Sequence, residues 1–456
     1  MKNAVSLSKQ IRLLIAEANV VPMSSAQRER ALLALIDTIA CMAAGSDHPI
    51  ISKLKLACNQ RSSQPQPNSF GWLTHSDQNL SPTQHALVLG AQAHVLDFDD
   101  NFFPVVSHAS AVTFSALFVL SINHNVSWGR LLHAYCLSLQ LQILMHSNWG
   151  NEHYEAGWHA TSTIGTLGAA FSCAWVLKLD ETATFNALSI ATSLMGGSKV
   201  QFGSELKPLH AGFAAQHGVQ AALLAQSGIL ASNDPFGGLF SVSNLFSVSR
   251  ETNHVSSENH DGILLAKIYP CCMSTHIGID AVLKIRLNHE SANQLSSMHF
   301  RMPSFMVNNL PYSQPITPEQ ARFSMQHAAA VAWLYGAPTL EHFAEPYISH
   351  PAVIALRECV FIDQIDDAKP DLDRPWGSSG VILDCKFADE SSVRHVEYAP
   401  CGAPEKPLTP DQRQKKFDAC LQTVLPLSER NNVFDRIYQA DDLDLVIRVL
   451  FGNSAD

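Results

Sequence analysis

From about residue 26 to residue 265, apolar residues recur at helical spacing; after about 266 the pattern turns toward the alternation of strands. That switch restricts the chain to a mainly α protein with a smaller α+β part. The spacing predicts helices over 26–45, 83–98, 110–123, 128–146, 161–177, 181–195 and 209–230. Several of these follow Ser, Thr or Asp and stop near Gly, as helix ends do. Alanine and glycine on their inner faces imply close helix packing. Beyond 266, segments 299–307 and 358–365 read as strands, and 381–387 and 393–399 flank a polar turn as a hairpin would. One long helix is expected over 318–335, and the sequence is helical again from 408. The expected architecture is a large all-helical domain, residues 1–265 with 405–456 returning to it, and an α+β lid over 266–404. Clefts between two such domains are common ligand sites.

Composition narrows the function. A chain of 456 residues is too long for one simple core, and 46% hydrophobic with 16% charged residues argues against disorder. The net charge of −11, without a basic block, excludes nucleic acid as the expected partner. The N-terminus reads as an amphipathic helix rather than a secretory signal, and the longest apolar run, 111–122, is too short to cross a bilayer. No membrane association is expected. None of the ten cysteines forms a Cys-x-x-Cys pair, which gives no sign of a zinc ribbon or an iron–sulfur cluster. A reducing, cytoplasmic setting fits best.

Residues 94–110 carry the strongest chemical signal. Asp97, Asp99 and Asp100 crowd the end of the apolar run HALVLGAQAHVL, and His108 follows across a short loop. Carboxylates packed together repel one another, which raises the pKa of at least one and suits it to proton transfer. An acidic helix end that is solvated or hydrogen-bonded is the plainer explanation, and it gives way only because of four other stretches. GWHATSTIG (157–165) sets His159 before Thr161 and Thr163 at a helix start, where backbone donors and hydroxyls suit a carboxylate. SELKPLHAGFAAQHG (204–218) puts Lys207 and His210 ahead of a helix. KIYPCCMSTHIGIDA (267–281) gathers Lys267, Tyr269, Cys271, Cys272 and His276 in a turn-rich segment. ARFSMQHAAA (321–330) carries Arg322, Ser324 and His327. Singly, each has an ordinary structural use: His210 on a helix face, Lys207 in solvent, the cysteines as small buried hydrophobes.

Together these segments resemble the MmgE/PrpD family, which includes 2-methylcitrate dehydratases, cis-aconitate decarboxylases and an iminodisuccinate epimerase. The likeness runs from LIDTIACMAAG (35–45) through AHVLDFDD, GWHATSTIG, LKPLHAG and KIYPCCMSTHIGIDA to GAPEKPLTPDQRQKKF (402–417). It implies a helical domain with an α+β lid, a homodimer, and metal-free, cofactor-free chemistry on a small polycarboxylate. By motif it assigns catalysis to Asp97, His108, His159, Lys207 and Lys267; Asn101, Thr161, His210, Tyr269, Cys272 and His327 are expected beside them as substrate contacts. In that assignment Lys207 and Lys267 bind substrate carboxylates, His159 or His108 moves the proton, and Asp97 orients the imidazole.

The cis-aconitate decarboxylases resemble this chain but carry His where Cys272 stands, Tyr for His327 and Thr for Asn101. They also have His-Pro-Ser in place of His108-Ala109-Ser110, and a loop from Asp100 to His108 one residue shorter. These differences point away from decarboxylation. The leading expectation is a lyase that dehydrates a 2-methylcitrate-like hydroxy acid. The alternatives are an epimerase of a substituted succinate, with Cys272, His327 or Tyr269 serving the opposite face of the carbon, and a scaffold whose activity has decayed.

Overall fold

The computed structural model describes residues 5–58, 80–124, 126–246, 262–288, 295–366, 376–425, 430 and 433–440. Its larger core is helical: α1 (Leu7–Ala18), α2 (Ser25–Gly45), α3 (Pro49–Cys58), α4 (Pro82–His94), α5 (Ala109–His124), α6 (Trp128–Trp149), α7 (Ile164–Val176), α8 (Glu181–Ala191) and α9 (Leu209–Gln226). Local chemistry sets several starts. Ser24 with Gln27, and Ser81 with Gln84, form reciprocal capping boxes ahead of α2 and α4.

Small residues decide how closely these helices approach. A Cβ on Gly90 of α4 would stand 2.8 Å from the Cα of Gly212 in α9. One on Gly212 would stand 2.3 Å from the carbonyl oxygen of Leu87. Alanine at either position would force the two backbones apart. This contact places the C-terminal end of α4 near the N-terminal end of α9, which brings Asp97 to Lys207.

The second core lies behind a mixed sheet with strand order β4-β3-β5-β6, formed by β3 (Leu295–Pro303), β4 (Val360–Ile365), β5 (Val381–Phe387) and β6 (Ser392–Glu397). Strands β3 and β4 run parallel, whereas β5 and β6 are the expected antiparallel hairpin. Two helices pack with this sheet, α10 (His276–Asn288) and α11 (Met325–Tyr335). A separate two-stranded ladder pairs β1 (Asn101–Phe103) with β2 (Ile263–Leu265). Because β2 ends two residues before Lys267, this ladder carries Lys267 to the acidic turn.

Three expectations need correction. The helix expected over 318–335 is broken: a single turn, Pro318–Ala321, precedes α11, and Ser324 caps α11 by accepting from the His327 amide at 3.0 Å. The strand expected over 299–307 ends at Pro303, where Ser304–Val307 becomes a helical turn. Helix α10 occupies ground read as turn-rich, because His276 opens the helix directly after a 3₁₀ turn over Met273–Thr275.

At the far end, α12 (Pro410–Leu421) and α13 (Val433–Tyr438) place Phe417, Leu421 and Ile437 in the larger, helical core. The last part of the expected return, residues 441–456, lies outside the described residues. No single helix among the described residues is long and apolar enough to cross a membrane; α2 and α3 together reach the length but bend by 87° at their junction.

Candidate active site

The acidic turn is built by backbone geometry. Helix α4 stops at His94, the Asp97 amide donates to the His94 carbonyl at 3.0 Å, and Asp97 adopts a left-handed φ of +51°. Asp tolerates that conformation better than most residues, at a cost of about 1–2 kcal/mol. It allows neighbouring carboxylates to serve different partners. Asp97 meets two ammonium groups: Lys207 Nζ donates to its Oδ2 at 2.9 Å, while Lys267 Nζ bonds its Oδ1 and its main-chain oxygen, the latter at 2.8 Å. Burial alone would raise the Asp97 carboxyl, but Lys207 and Lys267 hold it well below the usual carboxylate range.

Asp99 serves imidazoles instead. His94 Nδ1 lies 2.9 and 3.0 Å from its two oxygens, and His108 Nδ1 lies 2.9 Å from Oδ2, close but poorly aligned. An ionised carboxylate can only accept, so His94 carries its proton on Nδ1; the nearness of Asp99 favours the same tautomer at His108, with the lone pair on Nε2. Burial drives His108 down to about 3, past the opposing pull of Asp99, so this imidazole is neutral at pH 7. Its Nε2 stands 3.9 Å from Asp97 Oδ1. Asp100 faces away: its Oδ2 accepts from Ser110 at 2.6 Å, and burial with Asp37 nearby pushes its carboxyl up to about 8.

The third imidazole comes from the other side of the helical domain. The His159 amide donates to the Gly197 carbonyl at 3.0 Å, and its Nδ1 lies 2.9 Å from His210 Nδ1. One of those two nitrogens must donate and the other accept, so the tautomers of His159 and His210 are linked. Burial, then His210 and Lys207, push His159 well below its ordinary value. Its ring centroid is 6.4 Å from that of His108.

These groups line a cleft of about 880 Å³, counted to its open mouth. Asp97, Asn101, His108, His159, Lys207 and Cys272 all reach it. Five other expected site residues do not line it. Lys267 is fully buried behind Asp97, so it holds a carboxylate of the protein rather than one of a substrate. Thr161 accepts from the His108 amide at 3.1 Å, and His210 stands behind His159. Tyr269 donates to Asp280 at 2.7 Å, and His327 bonds the His342 carbonyl at 2.7 Å inside the second core. Of the two carboxylates, Asp99 lies 2.9 Å from both the His94 and the His108 Nδ1 atoms, whereas Asp97 comes no nearer to His108 than 3.9 Å.

Sequence reasoning missed His94 as a partner of Asp99, although its spacing to Asp99 within one short segment was visible. It also missed Lys416, whose buried ammonium pairs with Asp37 at 2.6 Å and donates to the Phe98 carbonyl at 2.8 Å, fixing the turn between Asp97 and Asp99 from the returning helix α12. Ligand atoms of His94, Asp97, Asp99 and His108 lie within 4.8 Å of one another, a spacing that a cation could use. The ammonium groups on Asp97 argue against that use, since both its oxygens are engaged and two positive charges adjoin the position.

Comparisons with known proteins place the chain in a family. The N-terminal domain model of the MmgE/PrpD family matches residues 9–253, and its C-terminal domain model matches residues 269–440. The mouse (Mus musculus) cis-aconitate decarboxylase is 27% identical over 404 residues, covering 83% of this chain and 80% of the relative. The human (Homo sapiens) cis-aconitate decarboxylase is 27% identical over 390 residues, covering 81% and 78%. The Aspergillus terreus cis-aconitate decarboxylase is 23% identical over 449 residues, covering 91% and 89%. With family models spanning both of its parts, the chain belongs to the MmgE/PrpD family.

Proposed function

We propose that this chain is a lyase that removes water from a small hydroxy di- or tricarboxylate of the 2-methylcitrate kind. The observation that carries this reading is the His108 imidazole, neutral, with Nδ1 against Asp99 and Nε2 3.9 Å from Asp97 Oδ1, while Lys207 holds the other Asp97 oxygen. In this reading His108 Nε2 takes the proton from the carbon next to a carboxylate. The negative charge that develops on that carboxylate is stabilised by the Lys207 ammonium at the cleft wall. His159, taken with Nδ1 accepting from His210, hydrogen-bonds the departing hydroxyl through Nε2–H; the carbon–oxygen bond breaks, a carbon–carbon double bond forms, and the hydroxide takes up the proton held by His108 and leaves as water.

The names of the relatives favour a second reading, decarboxylation of a cis-aconitate-like acid. That reaction breaks a carbon–carbon bond and needs a proton donated to carbon, whereas His108 is poised to accept one. Epimerisation would need a second proton carrier on the far face of the carbon. Of the three residues considered for it only Cys272 lines the cleft, and burial raises its thiol pKa. Proton NMR of the protein with 2-methylcitrate, citrate, cis-aconitate and iminodisuccinate in D2O separates the three. New vinyl signals from a hydroxy acid support dehydration. New vinyl signals from cis-aconitate, with loss of CO2, support decarboxylation, and deuterium uptake with an unchanged skeleton supports epimerisation.

A further inference from the structure

Asp97 and Lys207 stand together in the cleft, apart from Glu155. Most of the remaining wall is apolar, formed by Phe103, Phe202, Met273, Met306, Phe323 and Trp376, all of them buried. Two aromatic pairs join the helical side to the α+β side: Phe103 with Trp376, ring centroids 4.9 Å apart, and Phe202 with Phe323, 5.2 Å apart. The second pair begins where the charges end, since Lys207 Nζ is 5.1 Å from the Phe323 ring centroid and 5.7 Å from that of Phe202. A compact tricarboxylate would leave this apolar wall uncovered or lose hydration against it. At the rim, Tyr154 and the acidic Glu155 line the cleft, with Lys199 3.8 Å above the Tyr154 ring.

We propose that the acid taken by this cleft carries an unbranched apolar substituent of several carbons, its carboxylates gathered at Lys207 and its alkyl chain lying along the Phe103–Trp376 and Phe202–Phe323 walls. The substrate class is a 2-alkyl polycarboxylate longer than the methyl member. This rests on the dehydration reading for its chemistry but on the wall alone for its chain.

Two series measured on the purified full-length protein separate the two claims. In the first, dehydration of 2-alkylcitrates from methyl to hexyl is followed by absorbance of the unsaturated product. In the second, binding of the unreactive alkylsuccinates of the same chain lengths is followed by calorimetry. Each methylene added up to butyl is expected to raise kcat/KM and the association constant about fourfold. A gain in binding without turnover of any member would keep the chain assignment and remove the dehydration reading. Turnover of the methyl compound with a flat or falling response to chain length would do the reverse. Absence of binding by every alkylsuccinate would overturn the chain assignment as well. So would tighter binding of an ω-carboxyl analogue than of its methyl-ended counterpart, because the chain end would then be meeting Lys199. In Phe323→Ser the rise per methylene is expected to shrink to twofold or less; an unchanged rise would place the chain elsewhere.

Discussion

On the helical side of the cleft each charged group is committed to another. Asp97 holds two ammonium groups, Asp99 lies against two imidazoles, and His159 is bonded to a fourth histidine ring, that of His210. The α+β side offers Met273, Met306, Phe323 and Trp376, with Cys272, Ser274 and Asn309 as polar exceptions. The difference teaches where the two sides act. A fixed polar network costs little reorganisation when charge develops, so it suits chemistry. An apolar wall sets only size and shape, so it suits selection among related acids.

The comparison is broken most directly at His108. His108→Gln removes the proton acceptor while keeping a side chain of similar reach, and kcat is expected to fall about 10²–10⁴-fold with the fold intact by circular dichroism. A loss below tenfold would move the base elsewhere in the cleft. Next in size is Asp99→Asn. The amide can donate where the carboxylate only accepts, so His108 can adopt the wrong tautomer; kcat is expected to fall about 10²-fold with KM nearly unchanged. An equal loss spread over KM would instead assign Asp99 to substrate binding.

The two lysines sharpen the contrast, because both touch Asp97 but only Lys207 reaches the cleft. Lys267→Met leaves a buried carboxylate with one partner removed and is expected to cost about 3 kcal/mol in urea unfolding. Lys207→Met is expected to raise KM at least tenfold as well, a split that vanishes if both lysines bind substrate alike.

The smallest effect concerns Asp100, which belongs to the helical side yet does not line the cleft. Its folded pKa of about 8 lies above the ordinary carboxylate value, so its contribution to stability is fully present below about pH 4 and is lost as pH rises through 8. Asp100→Asn is expected to shrink the fall in Tm between pH 5 and pH 8.5 by roughly 2–4 °C. His108 has the opposite sign. Its folded pKa is depressed to about 3, so stability is lost as pH falls below 6.5, where the unfolded imidazole takes a proton that the folded one refuses. The Asp100 substitution leaves that acid limb in place, and a change confined to the acid limb would contradict the assignment.

Much of the helical domain was legible because its helices are long and carry strong starts, such as Ser24 with Gln27. The hairpin at 381–397 was legible from its alternation. Helix α10 was not, since Pro270, Cys271 and Cys272 disguise its approach. The break before α11 was hidden because Ser324 inside an apolar run looks like any helical serine until its hydroxyl caps a new start. The pairing of β1 with β2 joins residues more than 150 positions apart over three residues each, too short and too distant to leave a pattern. For the same reason the sequence could bring forward Asp97, His108, His159 and Lys207 but not divide their labour. The left-handed turn at Asp97, which sends two neighbouring acids to different partners, is a property of the backbone rather than of residue type.

The central claim is that His108 is a neutral proton acceptor held by Asp99. ¹⁵N NMR of histidine-labelled protein, titrated from pH 8 to pH 4.5 in wild type and in His108→Gln, tests it most directly. The account predicts that the signals lost in the variant belong to a neutral ring with the proton on Nδ1, unchanged across the range. A ring that takes up a proton near pH 6.5, or that carries its proton on Nε2, would contradict it.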